Sequence, residues 1–186
     1  MYTQLLRHSV IGDCGDEDKE ELLERFRHVV GSIVLLSDPL TASSLAKLLH
    51  KDPWEVEVTL DSLGSVLDIS ESQGCGIRSL HPSFCDFLLD QKRCLDLEFW
   101  INEQKTHGDL FLSCLKLMSK CLRRDMCILR LPGALTSELQ NSVVESSLPL
   151  DIQYACRYFV NHLQNSKTGL RDNDNVHTFL REHFLQ

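Results

Sequence analysis

Cysteine and histidine are the residue types in this chain that could supply nucleophilic or metal-binding chemistry, and the sequence contains eight of each. It has no Cys-x-x-Cys pair and no His-Glu-x-x-His motif. His177 and His183 are six residues apart and would lie on different faces of a helix. Most of the cysteines fall within apolar helical patterns, where a thiol behaves as a small hydrophobe. This pattern favours reduced structural thiols, predicts no metal site and nominates no catalytic residue.

Two further kinds of chemistry can be weighed from motifs. A phosphate-binding loop needs a glycine-rich turn followed by Lys and Ser or Thr, and no Gly-Lys pair occurs here, so we expect no ATPase activity from this chain. Residues 29–38 superficially resemble an apolar strand ending in a magnesium-binding Asp38, but their spacing is helical and Pro39 follows. A catalytic Cys–His pair whose members are distant in the sequence and adjacent only in the fold could not be recognised from sequence spacing. A cysteine hydrolase therefore stays open as a third hypothesis, and it requires one unusually reactive thiol.

Composition narrows the class of protein and its partners. Hydrophobic residues make up 42% of the 186 residues, which is enough for a real core. With 27 acidic and 19 basic residues the net charge is -8, which disfavours nucleic acid and anionic membranes as partners. The N-terminal residues lack the apolar core of a signal peptide, and no 18-residue apolar run occurs. These features predict a soluble cytoplasmic protein with reduced thiols.

The elements that would position any site begin with helices. From Asp16, apolar residues recur at spacings of three and four as far as Val34, which predicts a helix that ends at Ser37-Asp38-Pro39. Thr41 is the expected N-cap of a short helix that ends near His50. Asp52 and Pro53 then specify the start of a second helix, with Glu55 three residues after the cap. This arrangement predicts a helix-turn-helix.

A hairpin and a further helix complete a compact unit. Short strands at 66–69 and 77–80 flank residues 71–76, whose two glycines suit a hairpin loop, and Pro82 opens the next helix. A hairpin after a helix-turn-helix is a wing, so the fold class is mainly α, with a winged-helix domain over 25–92.

Beyond that unit the pattern is purely helical. Residues 103–124 form the longest predicted helix, with His107 on its apolar stripe, and Leu131-Pro132-Gly133 interrupts the pattern. A helix after Pro149 is expected to bury Cys156 among its apolar residues, and a last helix ends near Phe184. These elements predict an α-helical domain over 93–186.

Winged helices commonly bind DNA through the second helix of the motif. Here that helix carries Glu55, Glu57 and Asp61 and no Lys or Arg, so carboxylates would face phosphates. We therefore predict that the motif packs against protein. A basic cluster after the winged helix is more typical of a solvated face than of a site for an acidic partner, and it comprises Lys116, Lys120, Arg123, Arg124 and Arg130.

The order of these elements, together with specific phrases, resembles one family. The segment from Leu80 to Leu89, with its pattern His-x-Ser-Phe-x-x-Phe-Leu, resembles the winged-helix domain of NACHT-type STAND signalling ATPases. Other phrases are similar to large fungal NACHT proteins that carry WD-repeat or similar C-terminal sensors, and the resemblance covers nearly the whole chain. These phrases are Val30 to Leu36, Asp38-Pro39-Leu40, Ser43 to Leu49 and Gln153-Tyr154-Ala155-Cys156.

The resemblance implies a role for one residue. In that family the winged-helix histidine, which matches His81, reaches the β-phosphate of ADP bound by the neighbouring nucleotide domain and holds the molecule closed. An imidazole N–H can make a charge-assisted hydrogen bond to phosphate. From the residues alone, His81 is instead an N-cap or a satisfied interface histidine at the Pro82 helix.

The resemblance also implies an organisation and a function. Residues 1–24 would be the remnant of a preceding helical domain, and 93–186 would link the switch to the sensor. ADP or ATP would be bound by the parent protein, an ATPase, and not by this segment. Its partners would be the neighbouring nucleotide-binding domain and C-terminal sensor repeats, and the family also allows oligomerisation. The competing hypothesis is a free-standing winged-helix adaptor that binds protein or nucleic acid.

Overall fold

The computed structural model describes residues 2–12, 16–69, 76–94, 96–123, 125–126, 143, 146–172 and 174–183. Over these ranges the chain is mainly helical, as the sequence predicts, and the strands form a two-stranded sheet. The helices are α1 (Tyr2–Leu6), which continues into a π-helical turn (Arg7–Ile11), α2 (Asp16–Leu35), α3 (Ala42–Leu49), α4 (Pro53–Asp61), α5 (Pro82–Leu89), α6 (Glu103–Cys121), α7 (Leu150–Ser166) and α8 (Asn175–His183). None of the helices in these ranges combines the length and apolarity that crossing a bilayer requires.

Helix α2 contributes a continuous buried stripe to the core. The apolar residues spaced along it turn inward, and Phe26, Val29 and Val30 are fully buried. The helix ends at Leu35, just before the Ser37-Asp38-Pro39 segment that predicts its end. Its buried stripe gives the other helices an apolar surface on which to pack.

The α3–turn–α4 unit is specified by its caps. The Thr41 side chain accepts a hydrogen bond from the amide of Ser44 at 3.2 Å, and the Asp52 carboxylate accepts one from the amide of Trp54 at 2.9 Å. Between the two helices, His50 adopts a left-handed backbone with φ of 53°. Both predicted N-caps are confirmed, because side-chain oxygens satisfy amide groups that the first turn leaves without partners.

The hairpin consists of β1 (Leu67–Asp68) and β2 (Arg78–Ser79), antiparallel, with Leu67 opposite Ser79. Its predicted loop at 71–76 lies outside the described residues except for Gly76. The Ile77 amide donates to the Leu40 carbonyl at 2.9 Å, so the second strand also contacts the segment before α3. One backbone hydrogen bond thus ties the hairpin region to the segment that leads into α3.

The segment after α5 joins that helix to the rest of the core. The amide of Ile101 donates to the carbonyl of Leu88 at 3.0 Å, and Phe99 packs edge-on against Phe26 of α2 at a centroid distance of 5.5 Å. The buried apolar residues form one cluster that runs through both sides of the predicted boundary at 92/93. The division into 25–92 and 93–186 stays a prediction.

Helices α6 and α7 pack against each other. His107 is buried on the stripe of α6 as predicted, although the helix ends at Cys121 and not at Arg124. The predicted burial of Cys156 is wrong, because that residue is exposed. Tyr154 and His162 are buried on α7, where they hydrogen-bond to each other. Polar groups that satisfy one another can occupy a buried stripe that apolar spacing alone assigns to other residues.

Candidate functional site

His81 lies at the junction between β2 and α5 and is the N-cap of that helix. Its Nδ1 accepts a hydrogen bond from the amide of Ser83 at 3.1 Å and lies 2.8 Å from the Ser83 hydroxyl. Since an accepting Nδ1 carries no proton, the neutral ring must carry its proton on Nε2. The side chain is exposed. The structure therefore shows the capping role that the residues alone suggest, and it also leaves an N–H donor on the outer side of the ring.

Asp38, the weak magnesium candidate, is used for a contact between helices. Its Oδ2 accepts a hydrogen bond from the Tyr158 hydroxyl and lies 3.4 Å from a guanidinium nitrogen of Arg157, and both partners are on α7. The Tyr158 ring also packs beneath the Arg157 guanidinium. The carboxylate thus fixes α7 to the α2–α3 turn, and this contact accounts for its position without a metal ion.

A buried polar network beside that contact was not predicted. His107 Nδ1 lies 2.8 Å from His162 Nδ1, His162 Nε2 lies 2.7 Å from the Tyr154 hydroxyl, and that oxygen accepts the Ser37 amide at 3.2 Å. Donation from Tyr154 to His162 and from His162 to His107 makes every link and also uses the hydroxyl proton of Tyr154, which the reverse direction would leave without an acceptor in the network. The network joins α6, α7 and the α2–α3 turn.

Burial determines how this network titrates. Desolvation, together with the smaller effect of the neighbouring His107, lowers the pKa of His162 to about 4. Desolvation also lowers the pKa of His107 and raises the pKa of Tyr154. All three shifts favour the neutral forms, so the network carries no charge near neutral pH.

Three of the described cysteines, Cys94, Cys114 and Cys156, do not have the environment of an activated nucleophile. Burial raises the pKa of Cys94 to about 11 and that of Cys114 to about 12, and partial desolvation also raises the pKa of Cys156, although much of that residue is exposed. A nucleophilic thiol needs the opposite shift, toward the thiolate. These environments give no support to a cysteine hydrolase that uses one of these three thiols.

Thiol alkylation checks this assignment. With iodoacetamide at about pH 8, Cys94 and Cys114 should react at least ~100-fold more slowly than Cys156, because both must first become exposed by local unfolding. Peptide mass spectrometry over a time course measures each rate, and the urea-denatured chain, in which the rates should converge, is the control. Fast labelling of either buried thiol in the folded chain would contradict their burial and revive the hydrolase hypothesis.

The charged surfaces agree in part with the sequence expectations. Lys116, Lys120 and Arg123 are exposed, whereas Arg124 and Arg130 lie outside the described residues. On α4 the acidic Glu57 and Asp61 are exposed, and Glu55 forms an ion pair with Lys51 at 2.8 Å. The helix that would enter a DNA groove therefore presents carboxylates to solvent.

A groove of about 920 Å³ lies between α2, α4 and α6. Trp54 on its wall is 62% exposed, and the exposed side chains of Leu97 and Leu112 also line it. Charged residues of both signs accompany them, so the lining shows no strong preference for an anion or a cation. Such a mixed, partly apolar surface is typical of protein contacts.

Comparison with known proteins gives one relative. No protein-family profile and no solved structure matches the chain. Over its whole length the chain is similar to the vegetative incompatibility protein HET-E-1 of Podospora anserina, with 27% identity. The chain spans 14% of the length of that relative. This similarity relates the chain to a fungal incompatibility protein and agrees with the resemblance to fungal signalling proteins that its motifs indicate.

Proposed function

We propose that this chain is the regulatory and interaction segment of a longer, nucleotide-switched signalling protein of the NLR-like type. The observation that carries the proposal is the similarity of the whole chain to a short part of a vegetative incompatibility protein. In this proposal residues 25–92 are a winged helix, and the order α3, turn, α4, hairpin, α5 supports that assignment. The segment has no catalytic role, and ADP or ATP is bound by the nucleotide domain of the parent protein.

His81 is the proposed latch. Its exposed ring lies at the edge of the wing-to-helix junction, and its Nδ1 contacts assign the proton to Nε2, which supports donation to a phosphate oxygen of ADP. Activation would swing the winged helix away from the nucleotide, while residues 93–186 couple it to a C-terminal sensor. Such a switch requires two domain arrangements whose free energies differ by only a few kcal/mol, so that the nucleotide and the sensor can each shift the equilibrium between them.

The His81→Ala variant of the longer protein tests this latch. Loss of one hydrogen bond to a charged group should weaken ADP binding roughly tenfold to hundredfold and raise basal signalling. Chromatographic measurement of the nucleotide that copurifies with the protein checks it. His81→Asp is the matched control, since a carboxylate still caps α5 but has no N–H to donate, so it should lose ADP as well while the helix stays intact. Unchanged ADP content in both variants would disprove the latch.

A second candidate function is a winged-helix adaptor that binds another protein. The specific observation in its favour is the groove that holds the exposed Trp54, Leu97 and Leu112. Nucleic acid is disfavoured as its ligand by the acidic α4. Salt-dependent binding of a nucleic-acid duplex by the isolated chain would support nucleic acid as the ligand of the adaptor. The absence of duplex binding at low salt would count against nucleic acid as that ligand.

A further inference from the structure

The His81 ring is part of a hydrogen-bond chain that begins on the first helix. The Tyr2 hydroxyl lies 2.8 Å from the Ser83 hydroxyl, and the Ser83 hydroxyl lies 2.8 Å from His81 Nδ1. The Ser83 amide contacts the same nitrogen at 3.1 Å. Tyr2 and His81 are therefore joined through Ser83, which is 81 positions from Tyr2 in the sequence.

The positions of the protons in this hydrogen-bond chain follow from the acceptor at its end, His81 Nδ1. Nδ1 accepts the Ser83 amide, so it has its single in-plane lone pair and no proton, and the Ser83 hydroxyl can approach it only as a second donor that shares this lone pair. Once that hydroxyl has used its own proton, Tyr2 must donate to it. Every contact in the chain therefore favours the tautomer of His81 that carries its proton on Nε2.

The Tyr2 hydroxyl is held in place by the packing of its ring. The ring centroid lies 5.4 Å from that of Phe84 and 5.4 Å from that of Phe87, both on α5. The π-helical turn after α1 is tied down separately, by an ion pair between Arg7 and Asp96 at 2.8 Å. A movement of α1 away from α5 would withdraw the hydroxyl from Ser83.

We propose that Tyr2 and Ser83 are positioning residues that hold His81 in its Nε2–H tautomer, so that the docking of α1 on α5 regulates the wing-to-helix junction. This inference rests on the proposed function for its consequence, the donation of the Nε2 proton to a nucleotide phosphate. The hydrogen-bond chain itself stands on the geometry of this structure alone.

The tautomer of His81 can be read directly by long-range proton–nitrogen NMR on the chain labelled with ¹⁵N-histidine, at about pH 8, where imidazoles are neutral. His81→Gln assigns the resonance. In Ser83→Ala the ratio of the Nε2–H to the Nδ1–H tautomer should fall roughly twofold to tenfold, the size expected for one lost hydrogen bond. Tyr2→Phe keeps the ring packed on α5 and removes only the hydroxyl, so the change in the ratio should be in the same direction and smaller. Tyr158→Phe loses a hydroxyl elsewhere and should leave the ratio unchanged.

A second measurement separates this inference from the proposed function. If the tautomer ratio is the same in wild type, Ser83→Ala and Tyr2→Phe, the positioning role is refuted, even when His81→Ala releases ADP from the longer protein. If the ratio falls as expected but neither His81→Ala nor Ser83→Ala changes ADP content, the positioning role stands and the proposed latch is wrong. If the tautomer ratio falls as expected and ADP is also lost, with Ser83→Ala losing less ADP than His81→Ala, the positioning role and the proposed latch are both supported.

Discussion

Gly76→Ala should lower the free energy of unfolding by about 3 kcal/mol, the upper part of the range for overpacked sites. A Cβ placed on Gly76 would lie 2.4 Å from the Pro39 carbonyl carbon and 2.6 Å from the Leu40 amide nitrogen. Those atoms are backbone and cannot rotate away as a side chain would. The strand that begins after Gly76 would have to separate from the α2–α3 turn, which would break the hydrogen bond from Ile77 to Leu40.

Urea unfolding followed by circular dichroism measures this change in stability. Gly169→Ala is the matched control, because a Cβ at Gly169 meets nothing within 4 Å. That variant should be neutral or slightly stabilised, since alanine reduces the entropy of the unfolded chain. A Gly76→Ala protein as stable as the Gly169→Ala control would contradict the close approach between the hairpin and the α2–α3 turn.

Local features of this fold could be predicted from the sequence because their causes are local. Thr41 and Asp52 were expected to cap α3 and α4, and each accepts an amide within three residues of itself. The end of α2 is equally local, since the segment before Pro39 disfavours helix. Spacing of apolar residues also placed Phe26 and Val29 in the core.

Features that depend on contacts between distant segments could not be predicted in this way. The pattern placed His107 on a buried stripe, but its partner His162 is 55 residues away and satisfies it only after α6 and α7 pack. Gly76 was expected to serve a hairpin loop, whereas its structural requirement is the close approach of Pro39. Apolar spacing predicts that Cys156 is buried, but Tyr154 and His162 satisfy each other on the buried stripe and Cys156 is exposed.

The two ring nitrogens of His81 have different roles, and the sequence predicts the role of one of them. Its position before Pro82 predicts an N-cap, and the structure places Nδ1 on the Ser83 amide. The same contact fixes the ring so that Nε2 carries the proton, which is the form that the proposed phosphate contact needs. The capping role and the proposed latch therefore use different nitrogens of one ring and do not compete.

The buried network should make the protein sensitive to acid through His162. Its folded-state pKa is lowered to about 4 by desolvation and by His107, whereas an unfolded histidine titrates near 6.5. Between these values the unfolded chain binds the proton and the folded chain does not, so stability falls as the pH falls through this window. The shift corresponds to about 3 kcal/mol, all of which is present above roughly pH 6.5 and lost by about pH 4.

His162→Gln should flatten this part of the pH dependence, because an amide can still accept from the Tyr154 hydroxyl but does not titrate. At about pH 7.5 the variant should be roughly 1–2 kcal/mol less stable than wild type, through imperfect contacts with His107. Between pH 6.5 and 4 the difference in stability between the variant and wild type should shrink and then reverse.

Tyr154→Phe is the control, since it removes a hydrogen bond from the same network and keeps the titrating ring. It should therefore be destabilised while retaining the acid sensitivity. Urea unfolding at a series of pH values measures these profiles. Parallel profiles for His162→Gln and wild type would show that His162 is not the group whose protonation opposes folding.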